Sequence, residues 1–139
     1  MKKDVIILLG QPIQNEDAAA AEAITPGMWI TLNGSGLWIK HATGGGNAPL
    51  NVAMERDEMG KSVSVPYAIG DTVKAGALSS GMRFNALIPT GQNIAVGAQL
   101  ESDGAGRFRI LATGTPKVRA LEAVNNATGS DARIRVEVI

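Results

Sequence analysis

The sequence contains no cysteine and only one histidine, His41. Without thiols, neither disulfide bonds nor thiolate metal sites can stabilise the fold, and thiol chemistry is excluded. A single histidine cannot form a two-histidine metal site, and histidine-assisted catalysis would need a nucleophile and an acid from elsewhere in the chain. We therefore expect His41 to be an ordinary solvent-facing strand residue, and we expect no metal ion and no cofactor.

The chain also lacks an excess of charge, because 13 basic side chains balance 13 acidic ones. Proteins that bind nucleic acids usually carry a basic excess that neutralises phosphates, so we expect no nucleic-acid partner. The apolar run at residues 5–9 has only five residues, which is too short for a signal-peptide core or a membrane-spanning helix. The sequence thus predicts a soluble chain made in the cytoplasm, with no membrane partner.

Aromatic residues are scarce, at 4% of the chain, whereas glycine is abundant, with 17 residues. This composition favours many turns and short strands over long helices. About nine or ten short strands with turn residues between them follow one another, a pattern typical of sandwiches and small barrels. We predict an all-β fold in which residues 1–23 are an extended N-terminal arm and connector and residues 24–139 are a single β domain.

The arm begins with an apolar, β-branched stretch at residues 2–9, which favours an extended strand covered on both faces. Such a strand either belongs to the chain's own sheet or adds to the sheet of a neighbouring protein, and the sequence leaves both open. Residues 15–24 are the only helix-like stretch, with Asn15 placed to cap it. Because the stretch is too short for a stable helix, it predicts one helical turn or an ordered connector.

Two strands, at residues 28–32 and 37–42, are joined by Asn33-Gly34-Ser35-Gly36, a strong hairpin signal because Asn and Gly tolerate positive φ angles. Trp29 and Trp38 both point away from the aliphatic face of their own strand. They either pack under a loop or against a second sheet, or they anchor a protein interface, where tryptophan is enriched. The predicted protein-interface residues of the arm and this hairpin are Val5, Ile6, Ile7, Leu8, Leu9, Trp29 and Trp38.

An internal repeat relates residues 70–77 to residues 91–98, since both read Gly-x-x-(Val/Ile)-x-x-Gly-Ala. A glycine turn, a buried β-branched residue and a second glycine turn predict a compact β corner in each copy. In the last predicted strand, at residues 132–139, charged side chains alternate with aliphatic ones. That alternation predicts one solvent-facing and one buried face.

Two segments match parts of chemical motifs but fail on named residues. Gly60-Lys61-Ser62 matches the end of a phosphate-binding loop, but Glu55 stands where the motif needs its first glycine, and Pro66 prevents the following helix. Glu55, Asp57 and Glu58 cluster in a polar stretch, which is typical of a solvated loop and lacks the glycine of a calcium loop. We therefore predict no catalytic residues and no enzyme activity.

Taken in order, a set of segments resembles the capsid decoration, or cement, proteins that tailed bacteriophages encode beside their major capsid protein. The resemblance covers roughly residues 24–139 and depends on the number and order of the segments, since most of them are turns. The segments are Ala23-Ile24-Thr25-Pro26-Gly27-Met28, His41-Ala42-Thr43-Gly44-Gly45, Met54-Glu55-Arg56-Asp57-Glu58-Met59-Gly60-Lys61, Tyr67-Ala68-Ile69-Gly70-Asp71-Thr72-Val73, Gly91-Gln92-Asn93-Ile94-Ala95-Val96-Gly97, Leu100-Glu101-Ser102-Asp103-Gly104 and Ala120-Leu121-Glu122-Ala123-Val124.

This resemblance implies a small β domain of barrel or β-tulip-like type, with an extended arm, on the outside of the mature phage head. It implies a homotrimer that binds the major capsid protein and stabilises the head by clamping neighbouring capsid subunits. The expected location is the outer capsid surface of the virion, after synthesis in the host cytoplasm. Two alternatives stay open: a structural component of the tail or fibre base, and a β-clip module that binds carbohydrate in a concave site using Trp29 or Trp38.

Overall fold

A computed structural model describes residues 5–14 and 17–139 of the chain. The predicted all-β fold is confirmed, because these residues form 15 short strands and one turn of 3₁₀ helix at Asp57–Met59. The strands outnumber those read from the sequence because turns divide several apolar stretches. The sequence favours one strand over residues 118–124, for example, whereas the chain forms Val118–Ala120 and then, after a bend, a separate strand at Val124–Asn125.

Two antiparallel sheets, with strands numbered in chain order, make up most of the fold. The six-stranded sheet runs, from edge to edge, through β1 (Ile7–Leu9), β9 (Arg83–Ile88), β15 (Ala132–Val138), β13 (Val118–Ala120), β11 (Gln99–Ser102) and β12 (Phe108–Ile110). The five-stranded sheet runs through β2 (Ile13–Gln14), β8 (Ala75–Ala77), β6 (Asn51–Ala53), β4 (Trp29–Leu32) and β5 (Trp38–Lys40). Two short ladders pair β3 (Ala18–Ala19) with β7 (Thr72–Val73) and β10 (Asn93–Ile94) with β14 (Val124–Asn125). No ladder between described strands joins the two edges of either sheet.

The larger hydrophobic core covers one face of the six-stranded sheet. In β9 the alternate residues Phe84, Ala86 and Ile88 are buried in it, whereas the intervening Leu87 belongs to a second core shared with β4 to β8. β9 is therefore covered on both faces, as expected of a strand near the centre of a fold. The alternation predicted for the last strand is confirmed in β15, whose aliphatic residues are buried and whose charged residues are half-buried.

The predicted tryptophan hairpin is confirmed, since β4 and β5 pair antiparallel with Leu32 opposite Trp38. Asn33 closes the turn, because its side-chain Oδ1 accepts the backbone N–H groups of Ser35 at 2.9 Å and Leu37 at 3.0 Å. Gly36 follows with φ at +75°, a conformation that glycine adopts without strain.

Of the two interpretations of residues 15–24, the helical turn is wrong and the ordered connector is correct for the part described. Asn15, the predicted cap, lies outside the described residues, as do residues 2–4 of the predicted arm strand. Ala18–Ala19 form β3, and Ala20 pairs with β5 through an isolated bridge. Alanine gains less than about 1 kcal/mol per residue from helix propensity, so pairing and burial outweigh it.

The two copies of the internal repeat have the same structure only in their first half. Gly70 (φ +91°) and Gly91 (φ +88°) each precede a two-residue strand, β7 or β10, whose second residue is buried. The copies diverge at the second glycine, because Gly97 has φ at +85° in a turn whereas Gly76 lies inside β8. A Cβ atom at Gly76 would lie 2.9 Å from Cβ of Pro12, so glycine there permits the close approach of the chain that leads into β2.

Candidate functional site

The N-terminal segment, residues 5–14, supplies one edge strand to each main sheet. β1 pairs with β9 and β2 pairs with β8, and on its outer side neither strand has a strand neighbour among the described residues. Gly10 turns the chain between them with φ at +105°, and a Cβ atom there would lie 2.6 Å from Cγ of Met82. The segment therefore joins the two sheets, and at the edge it forms in each sheet no further strand from residues 5–14 or 17–139 pairs.

The first half of the N-terminal segment is fixed to the body of the protein. Ile6 is fully buried in the larger core, and its backbone N–H donates to Oε2 of Glu55 at 3.0 Å. Asn85 holds the same stretch twice, because its side-chain Nδ2 donates to the carbonyl of Val5 at 2.7 Å and its backbone N–H donates to the carbonyl of Ile6 at 2.8 Å. The prediction of a solvated loop is therefore wrong at Glu55, which is half-buried and accepts a hydrogen bond from the backbone of Ile6.

The second half of the N-terminal segment presents apolar side chains to solvent. Leu9 is 52% exposed and Ile13 is 74% exposed, whereas Ile7 is half-buried, as is Leu8. Partner chains add to strand edges of this kind, with main-chain hydrogen bonds providing affinity and side chains providing specificity. Of the two roles that the sequence left open for the arm, pairing within the chain's own sheet is observed on one edge. On its other edge, β1 pairs with no strand among the described residues.

Trp29 packs in the larger core and offers no surface to a partner. Its Nε1 donates to the carbonyl of Pro49 at 3.1 Å, and the His41 ring stacks on it with centroids 3.9 Å apart and planes 8° apart. Nζ of Lys117 lies 5.6 Å from the centroid of the indole. For Trp29, the packing alternative is the one observed.

Trp38 is likewise buried, in the second core. Its indole Nε1 has no hydrogen-bond partner among the described residues. Both indoles are closed off within the chain, so neither presents a ring face for a bound sugar or a docked protein in this conformation. The interface role predicted for the two tryptophans has no exposed side chain to carry it.

His41 is buried, and the prediction of a solvent-facing residue is wrong. Its Nδ1 lies 2.7 Å from Oγ of Ser102, which also accepts the backbone N–H of Gly104. The pKa of His41 is lowered below its ordinary value, mainly by burial and secondly by the charge of Lys117. Serine and histidine are residue types of a nucleophile and its base, but Ser102 is buried too. A substrate cannot reach the pair in this conformation, and the bond joins the end of the β4–β5 hairpin to β11.

Glu101 is a buried carboxylate that sequence patterns did not single out. Its Oε2 accepts Nε and Nη2 of Arg109 at 2.9 and 2.7 Å, and its Oε1 accepts the backbone N–H groups of Ala112 at 2.8 Å and Gly114 at 3.0 Å. These hydrogen bonds, that of Ala112 first, lower the pKa of Glu101. The carboxylate therefore holds the loop after β12 against the sheet.

A row of alternating charges crosses the outer face of the six-stranded sheet. Glu137 on β15 lies opposite Arg83 on β9 and opposite Arg119 on β13. Nε of Arg83 donates to Oε2 of Glu137 at 3.1 Å, and Nη2 of Arg119 donates to its other oxygen. The hydrogen bond from Arg83 is the main cause that lowers the pKa of Glu137. The alternation of β15 indicated this face, but only the cross-strand register brings the three residues together.

A small open cavity of about 260 Å³ lies between the N-terminal segment and the 3₁₀ helix. It is lined by Gln14, Asp17, Arg56, Met59, Thr72, Val73 and Lys74. Both lining cations form ion pairs at its border, Arg56 with Asp71 at 3.5 Å and Lys74 with Asp57 at 2.9 Å. Among the described residues, the cavity therefore offers no uncompensated positive charge to an anionic ligand.

Within residues 5–14 and 17–139, no three His, Asp or Glu side chains lie close enough together to hold a metal ion. None of the helices in this part of the chain has the length and apolar character that crossing a membrane requires.

Comparison of the chain with protein-family models gave no match, and neither did comparison with curated proteins.

Proposed function

We propose that this chain is a structural protein of a bacteriophage head. It binds the outer surface of the capsid as a homotrimer and stabilises the mature head by clamping neighbouring subunits of the major capsid protein, without enzymatic activity. The order of segments over residues 24–139 supports this through its resemblance to capsid decoration proteins. The observation that carries the proposal is the N-terminal segment, which presents two strand edges and two exposed apolar side chains within ten residues.

The physical logic of such a clamp is addition of capsid strands to these edges. A strand that adds to β1 or β2 gains main-chain hydrogen bonds, and Leu9 and Ile13 supply apolar contact beside them. A trimer makes several such contacts at once, because each bound subunit raises the effective concentration of the next. Modest individual contacts therefore suffice to hold the seams of the shell.

The test compares exposed apolar residues of matched size in two places. Leu9→Asp combined with Ile13→Asp introduces charge into the proposed contact, while Leu32→Asp serves as control because Leu32 is 55% exposed against 52% for Leu9. Binding to expanded heads, assembled from the phage's own capsid protein, is measured by co-sedimentation. The double variant is expected to bind at least about tenfold more weakly, since each buried side chain contributes about 1.5–3 kcal/mol. The control is expected to bind like the unmodified protein.

Two results would contradict the proposal. One is equal binding of the double variant and the Leu32→Asp control to expanded heads. The other is electron microscopy of labelled virions that finds the protein on the tail or fibre base and not on the head.

A further inference from the structure

Two parts of the surface carry opposite charge, although the formal net charge of the chain is zero. One is the acidic patch, which we define as Asp17, Asp57 and Asp71 around the cavity beside the 3₁₀ helix. Asp57 is 69% exposed while its partner Lys74 is 27% exposed, and Asp71 is likewise more exposed than Arg56. Aspartate is the shorter side chain in both pairs, so side-chain length alone would make the aspartates less exposed than their basic partners. The patch therefore presents negative charge to solvent.

The other is the basic face, which we define as Arg83, Arg109 and Arg119 on the outer face of the six-stranded sheet. Here the carboxylate is the covered partner: Arg119 is 51% exposed and Glu137 is 19% exposed. Arg109 is similarly exposed above the buried Glu101. Carboxylates beneath and guanidinium groups above make this face positive toward solvent, although every arginine in it is ion-paired.

The chemistry of the basic face favours a partner with discrete carboxylates over a nucleic acid. All five aromatic residues of the chain are buried, so no exposed ring can stack on a base. The paired carboxylates also reduce the long-range attraction that polyphosphates need. A surface with spaced carboxylates fits better, and the acidic patch of the same chain is such a surface.

We propose that the basic face of one copy binds the acidic patch of a second copy in a head-to-tail contact. A contact between two different surfaces leaves one of each free on every pair, so it can propagate and close into a ring. Opposite charges across the contact steer association and fix its orientation. The inference rests on the self-association that the proposed function includes, and it names the surfaces that meet.

The test reverses the exposed sign of each surface while keeping its ion pairs. Asp57→Lys with Lys74→Asp reverses the more exposed ion pair of the acidic patch, and Arg83→Glu with Arg119→Glu and Glu137→Arg reverses the ion-paired row of the basic face. Molar mass is measured by analytical ultracentrifugation of the purified full chain. We expect the unmodified protein to associate more weakly as salt rises, and each swapped variant to dissociate at least about tenfold more readily. Mixing the two variants is expected to restore association as alternating pairs or chains and not as closed trimers, since the surfaces complement each other only between unlike variants.

Ser35→Glu, at the exposed tip of the β4–β5 hairpin, is the control for a charge change outside both surfaces and is expected to leave the mass unchanged. Should the triple variant lose its far-ultraviolet circular dichroism, Arg119→Gln replaces it and is expected to weaken association. A monomeric unmodified protein, association that is insensitive to salt, or swapped variants with unchanged mass would each overturn the proposal. So would a basic-face variant that keeps its mass but loses binding to heads, because the face would then serve the capsid. Since the mass measurement uses no heads, its failure leaves head binding as a separate test of the proposed function.

Discussion

Trp29 and Trp38 are both buried, yet their polar atoms meet different environments. The indole N–H of Trp29 donates to the carbonyl of Pro49, and the ring is stacked on His41. The indole N–H of Trp38 has no partner in the described part of the chain, and such a buried donor costs about 1–3 kcal/mol. Burial alone therefore does not rank the two residues by their contribution to stability.

We expect Trp29→Phe to reduce the free energy of unfolding by about 1–2 kcal/mol more than Trp38→Phe. Both changes shorten a buried ring, but the first also removes a hydrogen bond and part of a ring stack, each worth about 0.5–1.5 kcal/mol. The second removes a donor that was already unsatisfied. Urea unfolding followed by circular dichroism gives both values, and an equal or larger loss for Trp38→Phe would contradict this account.

The sequence predicts the role of a residue where that role depends on local backbone geometry. It does not do so where the role depends on which distant residues cover the side chain. Asn33 is identifiable as the hairpin residue because its turn chemistry is local. His41 is wrongly expected at the surface because a histidine on a strand has two faces to choose from, and the choice depends on Ser102 and Trp29 packing over it. Glu101 gives no signal, since its four donors come from a loop and a strand that no short pattern connects.

Among the elements, β1 combines a structural role with the proposed contact. Ile6, just before it, is fully buried in the larger core, whereas Leu9 at its end is exposed. Deleting residues 1–9 would therefore remove core packing together with the proposed contact. A loss of head binding after that deletion would have two causes, which is why substitutions of exposed residues give the cleaner test.

Ile6→Ala is expected to reduce the free energy of unfolding by about 2–4 kcal/mol, because it leaves a cavity in a packed core. Leu9→Ala, a change of similar kind in the same segment, is expected to change it by no more than about 0.5 kcal/mol. Thermal and urea unfolding of both variants provide the comparison. Equal stability of the two would show that the N-terminal segment is not docked on β9 in solution and is available to a neighbouring protein along its whole length.

Element types were largely predictable because glycine and asparagine turns mark their ends, and the hairpin, the last strand and the first half of each β corner follow from these. Pairing was not predictable. The edge positions of β1 and β2 depend on which strands cross over to sit beside them, and β3 forms because β7 lies next to an alanine stretch that locally favours helix. The edge geometry of the candidate site is therefore a property of topology, to which the apolar residues 5–9 pointed without fixing it.

At the scale of the whole molecule, a balanced composition hides an uneven surface. The sequence shows equal numbers of acidic and basic residues, and from that alone no charged partner surface is expected. The two surfaces appear only when register and burial determine which member of each ion pair faces solvent. Net charge describes solubility and long-range attraction, whereas the exposed members of ion pairs determine which surfaces fit together.

Stability of the whole molecule is expected to fall in two stages as the pH is lowered. His41 has a pKa below its ordinary value of 6.5 in the folded protein, mainly because of burial. The unfolded chain then binds this proton first, so stability begins to fall below about pH 6.5. Glu101 has a pKa below its ordinary value of 4.5 because of its hydrogen bonds, so its contribution is present above that pH and is lost below it. In each stage, the titration of one proton lowers the free energy of unfolding by at most about 1.4 kcal/mol per pH unit.

His41→Gln isolates the first stage, because it removes the titrating group and leaves Glu101 in place. The melting temperature of the unmodified protein is expected to fall between about pH 7 and pH 5, while that of the variant stays level over the same range even if it starts lower. Below about pH 4.5 both proteins are expected to lose stability together, since the carboxylates are then protonated in the unfolded chain. Calorimetry at half-unit steps of pH, in buffers of constant ionic strength, resolves the stages. An unmodified protein with a level profile across the first range would show that His41 is not held neutral by burial, and that the Trp29–His41–Ser102 packing opens in solution.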